Sequence, residues 1–94
     1  MSSITKSDAE TIAVEGAMTF YTVPKLYRKS LSMTRALTSY TVDLSKATSC
    51  DSAGLALLIT WKRFAKQHGK TIHFQNIPPQ LMNIAEISNI EKIL

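Results

Sequence analysis

Between Thr41 and His68 the apolar residues change their period, and that change constrains the chain more than any other feature. Tyr40, Val42 and Leu44 share one phase, so Thr41-Val42-Asp43-Leu44 reads as a buried strand. After Cys50-Asp51-Ser52-Ala53-Gly54 the run Leu55-Ala56-Leu57-Leu58-Ile59 takes up helical spacing, which lasts as far as His68. Asp51 and Ser52 therefore stand where a strand has ended and a helix begins. Both are favoured N-cap types, because a side-chain oxygen accepts from the free N–H groups of the first turn. The helix dipole also favours negative charge there. A hydroxyl in this place is a cap, a phosphorylation point or a docking point.

The remaining elements fall around this junction. Ser3 to Lys6 suits a short edge strand, and Ser7-Asp8-Ala9-Glu10 a polar turn. Thr11 to Glu15 alternates with Ile12 and Val14 on one face, and Gly16 is expected to end that strand. Thr22 is placed to cap a helix that carries Pro24 in its first turn. Val23, Leu26, Tyr27, Ser30 and Leu31 form its apolar stripe, leaving Lys25, Arg28 and Lys29 wet. Gly69 stops the main helix. Thr71 to Gln75 makes a third firm strand with Ile72 and Phe74 inward. Pro78-Pro79 opens a last helix with Leu81, Ile84, Ala85 and Ser88 on one face, and Ile90, Ile93 and Leu94 of the tail are expected to pack down. Strands alternating with helices imply crossovers and parallel pairing, to which an N-terminal hairpin adds one antiparallel pair. The expected architecture is a single α/β domain over residues 1–94, with a mixed, mainly parallel four-stranded sheet and about three to four helices.

Composition narrows the function classes. Ninety-four residues make one modest core, and 45% hydrophobic with 19% charged residues describes a soluble globular chain. No apolar run approaches the ~18 residues of a membrane span. Met1-Ser-Ser-Ile-Thr-Lys lacks the apolar stretch of a secretory signal, so a cytoplasmic location is expected. The lone Cys50 leaves no intramolecular disulfide and no multi-cysteine zinc signature. The two histidines have no ligand spacing with it. No cofactor is expected. Eleven basic against seven acidic residues give a net charge of +4, spread without a run of four or more. Trp61 and Phe64 read as core, so the basic stripe with stacking aromatics that nucleic-acid binding requires is not formed.

On a wheel of the main helix, Gly54, Leu57, Leu58, Trp61, Phe64, Ala65 and His68 cluster as the core face, with Gly54 allowing close backbone approach. Leu55 and Ile59 lie to one side among Lys62, Arg63 and Lys66. They are either the margin of a broad buried face or part of a mixed apolar and basic docking surface beside Ser52. The candidate surface is thus Asp51, Ser52, Ala53, Gly54, Leu55, Ile59, Lys62 and Lys66. Cys50-Asp51-Ser52-Ala53-Gly54 differs from a nucleophile elbow only at its first position. That chemistry needs a longer chain, and an acid and a histidine after the serine. His68 and His73 are not placed near Ser52 by sequence, so no catalytic residue is assigned.

Val42-Asp43-Leu44-Ser45, followed by Asp51-Ser52-x-Gly54-Leu55-x-x-Leu58, resembles the signature of STAS domains, the fold of bacterial anti-sigma factor antagonists. The order of elements from Thr11 to Leu94 matches as well. Within the family, the loop-helix motif and the short length look most like the cytoplasmic STAS subunit of Mla phospholipid-transport ABC complexes of Gram-negative bacteria. The resemblance implies that Ser52 matches the hydroxyl residue phosphorylated in the antagonists. In the transporter subunit the same position meets the ATPase subunit. Asp51 matches the acid before it and Gly54 the helix-start glycine. The implied partner is an ABC-transporter ATPase, which would bring the chain to the inner face of the inner membrane; the alternative is an anti-sigma factor or a switch kinase. The family often has an acid soon after the glycine that ends the second strand, as in Gly-x-Leu-Asp. Gly16-Ala17-Met18-Thr19 has Thr19 there, so contacts made by such an acid are not implied.

Overall fold

The computed structural model describes residues 2–87. The strands are β1 (Ser3–Asp8), β2 (Thr11–Met18), β3 (Ser39–Cys50) and β4 (Thr71–Gln75). The helices are α1 (Val23–Thr34), α2 (Ser52–Gln67) and α3 (Pro79–Ile87). One sheet runs in the order β1-β2-β3-β4, with β1 antiparallel to β2 and the other two pairings parallel. This is the expected mixed, mainly parallel α/β sheet. Alternation along the strands puts Ile4, Ile12, Val14, Met18, Tyr40, Val42, Leu44 and Ile72 into one buried core with α2. Ser88 and the tail residues Ile90, Ile93 and Leu94 lie outside the described residues.

Three strand boundaries differ from the reading of the sequence. Gly16 does not end β2. It sits within the strand at φ 85°, where the pairing with β3 shifts register, and the strand continues to Met18. A glycine at positive φ inside a strand accommodates a bulge, with no Cβ to strain. β3 likewise runs past Leu44 to Cys50, although its last six residues are exposed or half-buried. Their hydrogen bonds come from pairing with the bulged end of β2, which apolar alternation does not report. At the N-terminal hairpin, β1 extends through Ser7 to Asp8, leaving a tighter turn than the polar run suggested.

A polar network links the layers. The Trp61 indole N–H donates to Ser30 Oγ at 2.7 Å, and that hydroxyl donates to Tyr27 O. Trp61 is 1% exposed, so this partner spares a buried donor the cost of desolvation. At the C-terminal end of α1, Lys70 Nζ donates to the carbonyls of Thr34, Arg35 and Leu37 at 3.2, 3.1 and 2.5 Å. A cation at a helix C-terminus complements both the free carbonyls and the dipole. Gly69, at φ 65°, ends α2 as expected and turns the chain toward β4.

Candidate functional site

Helices α1 and α2 both start at the carboxyl ends of parallel strands, so their first turns come together at one end of the sheet. Asp51 is the N-cap of α2 in an extended conformation, with its Oδ1 accepting from Ala53 N at 2.8 Å. Its Oδ2 accepts from Phe20 N at 3.2 Å, tying the β2–α1 loop to the start of α2. Asp51 N donates to Met18 O, and Cys50 N donates to Gln80 Oε1 of α3. The junction is held from both sides.

Gly54 explains how tightly it is held. A Cβ there would stand 2.8 Å from Met18 O and 3.3 Å from Leu81 Cδ2. The helix start can lie against the end of β2 only because that atom is missing, as the sequence reading anticipated.

Ser52 is the first residue of α2 and is exposed. Asp51 takes the capping role, so among the described residues the Ser52 hydroxyl has no hydrogen-bond partner in the protein. Ala53 is half-buried beside it. Leu55 is 4% exposed and belongs to the core, as does Gly54, so both shape the surface from beneath. Ile59 and Lys62 are half-buried and Lys66 is exposed. At 1.5 Å per residue, Lys66 lies about 21 Å along the helix from Ser52. The candidate residues therefore form a stripe along α2, not a compact cluster. Of the expected core face, Phe64 is half-buried and His68 is exposed, their rings stacked at 4.2 Å near the helix end.

Two residues escaped the sequence reading. Phe20 and Tyr21, in the β2–α1 loop, are 73% and 89% exposed and pack edge to face at 5.7 Å. They are the exposed large hydrophobic side chains among the described residues. Phe20 sits over the Asp51 cap through its backbone bond. Their signal was an aromatic pair outside any apolar periodicity, in a segment where neither strand nor helix would bury it.

The electrostatics of the junction are mild. Burial first, and then the Asp51 carboxylate, push the Cys50 thiol above its ordinary range, so the thiol stays protonated and a poor nucleophile. Farther along β3, the Asp43 carboxylate accepts from Asn76 Nδ2 at 3.1 Å and Ser45 N at 3.0 Å. Those bonds hold it below the usual range and fix the turn after β4. No cluster of three or more histidine, cysteine or acidic side chains able to hold a metal occurs among the described residues. No helix of the described residues is long and apolar enough to cross a membrane.

Comparison with known proteins agrees with this architecture. A family model described as Mlab, STAS domain, matches residues 2–94. The anti-sigma factor antagonist SpoIIAA in its unphosphorylated form superposes with a TM-score of 0.72 at 16% identity, covering 98% of this chain and 84% of that one. The structure of Mglu gives a TM-score of 0.64 at 12% identity over 81% of this chain, which spans only 19% of the Mglu chain. No curated protein sequence matches.

Proposed function

The chain belongs to the STAS domain family, and we propose that within it the chain is a non-enzymatic subunit docking on the ATPase of a Mla-type phospholipid-transport ABC complex. The match of the Mlab-described family model across residues 2–94 carries this reading. The geometry agrees with a binding role. An exposed hydroxyl at a helix start, flanked by an exposed aromatic pair, offers a partner both a hydrogen bond and apolar area. The partner lies along α2, with Ser52 and Ala53 at one end, Ile59 between, and Lys62 and Lys66 as a basic rim. Asp51, Gly54 and Leu55 hold that surface in shape. Through the complex the chain sits at the cytoplasmic face of the membrane.

A second reading, an anti-sigma factor antagonist switched by phosphorylation of Ser52, is favoured by the unpartnered hydroxyl and by the likeness to SpoIIAA. Phosphate there would add about −1.5 to −2 charges beside a helix N-terminus. Affinity purification from the native host separates the two. The transporter reading expects an ATPase and a permease with unmodified Ser52, and Ser52→Glu that folds but no longer retains the ATPase. A switch kinase in the eluate, with phosphate on Ser52 that cycles with growth state, would replace that reading with the second.

A further inference from the structure

A half-open cleft of about 390 Å³ lies between the start of β1 and the first turns of α1. Ile4 and Leu26, which are 1% and 3% exposed, lie at its base, and Ser3, Tyr21, Lys25 and Lys29 form its walls. Two features of α1 are costly for the isolated fold. Lys25 stands in the first helical turn, where the dipole disfavours a cation. Lys25 and Lys29 are spaced i, i+4, so like charges face each other on one side of the helix. The helix contains no acidic residue to offset them, and neither lysine has an ion-pair partner among the described residues. An anion in the cleft would relieve both costs.

We infer that this cleft seats an acidic segment of a protein partner, which places a bulky apolar side chain over Ile4 and Leu26 and its carboxylates on Lys25 and Lys29. Charge complementarity selects the sign of the partner, and the apolar base selects a side chain between the charges. Tyr21 lines the cleft and packs on Phe20, whose backbone N–H donates to the Asp51 carboxylate beside Ser52, so the cleft opens at the same end of the sheet as the start of α2. The inference rests on the protein-docking reading in treating this end of the molecule as a binding face. It names the chemistry of a second contact there. Rim charges of this kind act on association rate and salt dependence more than on residence time.

A phage-displayed library of short random peptides, selected on the immobilised full chain, tests it. The expected winners carry Asp or Glu on both sides of a Leu, Ile, Phe or Trp. A synthetic peptide of that consensus, titrated into isotope-labelled protein, should shift the amides of Ser3, Tyr21, Lys25, Leu26 and Lys29. Binding should weaken about tenfold or more in Lys25→Glu/Lys29→Glu, and less in Lys25→Gln/Lys29→Gln, with both variants folded and melting no lower than the parent. Rising salt should weaken binding to the parent and leave the Gln variant less affected. Ser52→Glu should leave peptide binding unchanged, so a failure of ATPase docking is read separately from a failure of the cleft. Winners without acidic bias, equal binding to the Glu variant, or shifts mapping elsewhere would overturn the inference. So would binding of phosphatidylglycerol vesicles through the two lysines with no acidic peptide selected, since the cleft would then serve a lipid surface.

Discussion

The two helices that start side by side at the end of the sheet are built in opposite ways. Four residues separate β2 from α1, and one separates β3 from α2. At α2 the cap is made by the residue before the helix, with one Asp51 oxygen on Ala53 N and the other on Phe20 N. At α1, Thr22 holds the N-cap position, but its side chain bonds no helix N–H. Its hydroxyl accepts from Thr19 N at 2.9 Å and donates to Ala17 O at 2.8 Å, while Thr19 O accepts from Thr22 N and Val23 N. The threonine thus fastens the loop that displays Phe20 and Tyr21. One start spends its polar side chain on the helix and leaves the neighbouring serine free. The other spends it on the loop and leaves two aromatic rings in water.

The sharpest way to break this contrast is Gly54→Ala. The added carbon meets Met18 O, a backbone atom that cannot step aside, so the start of α2 must lift from β2. We expect a loss of about 2 kcal/mol in denaturant melts, after the ~1 kcal/mol that alanine gains in helix propensity. A stabilised variant would show that the close approach is not required.

Asp51→Ala comes next. It removes the cap of α2 and the tie to Phe20 together, and should cost about 1–2 kcal/mol. Asp51→Asn sharpens the point, because its single carbonyl oxygen can cap Ala53 N or hold Phe20 N but not both. Its cost is expected to be the smaller, with amide exchange at either Ala53 or Phe20 accelerated.

Thr22→Val keeps the shape and deletes the hydroxyl. It should cost about 1 kcal/mol, as buried hydrogen-bond losses do. Exchange should speed up at Thr19 N and not in the first turn of α1. Faster exchange within α1 would make Thr22 an ordinary cap and remove the distinction.

Ser52→Ala should leave stability within about 0.5 kcal/mol of the parent, since Asp51 still caps. A loss of many degrees in Tm would make the hydroxyl structural. The smallest effect concerns Cys50. Its raised pKa predicts slow alkylation by iodoacetamide at neutral pH, and Asp51→Asn should quicken it slightly by removing the neighbouring negative charge.

Periodicity reported α2 well because most of its buried residues repeat at helical spacing against one sheet. It left Leu55 open between the margin of the buried face and a docking surface. The residue lies in the core because α2 packs against α1 and α3 as well as the sheet, and a wheel drawn for one helix has no place for a second neighbour. It overextended the core to His68, where the helix has reached the end of the layer beneath. Gly16 was legible as a break in side-chain pattern but not as a bulge, because the partner strand decides which of the two a glycine makes. At the junction, Asp51 and Ser52 were equal candidates by residue type. Only the backbone, extended at Asp51 and helical from Ser52, assigns the cap to one and exposure to the other. Phe20 and Tyr21 were invisible for the converse reason: sequence patterns find what is buried, and these rings are not.

The chain's single tryptophan, Trp61, is buried with its N–H on Ser30 of the neighbouring helix. Nine helical steps, about 13.5 Å, take the chain from Ser52 to it. Its emission is therefore an internal gauge of whether α1 and α2 remain engaged, blue-shifted while they are and red-shifted once water reaches the indole. A ligand settling on the exposed end of the sheet leaves that gauge unmoved. The same cuvette can thus separate a substitution that spoils a contact from one that unfolds the protein, with no label attached.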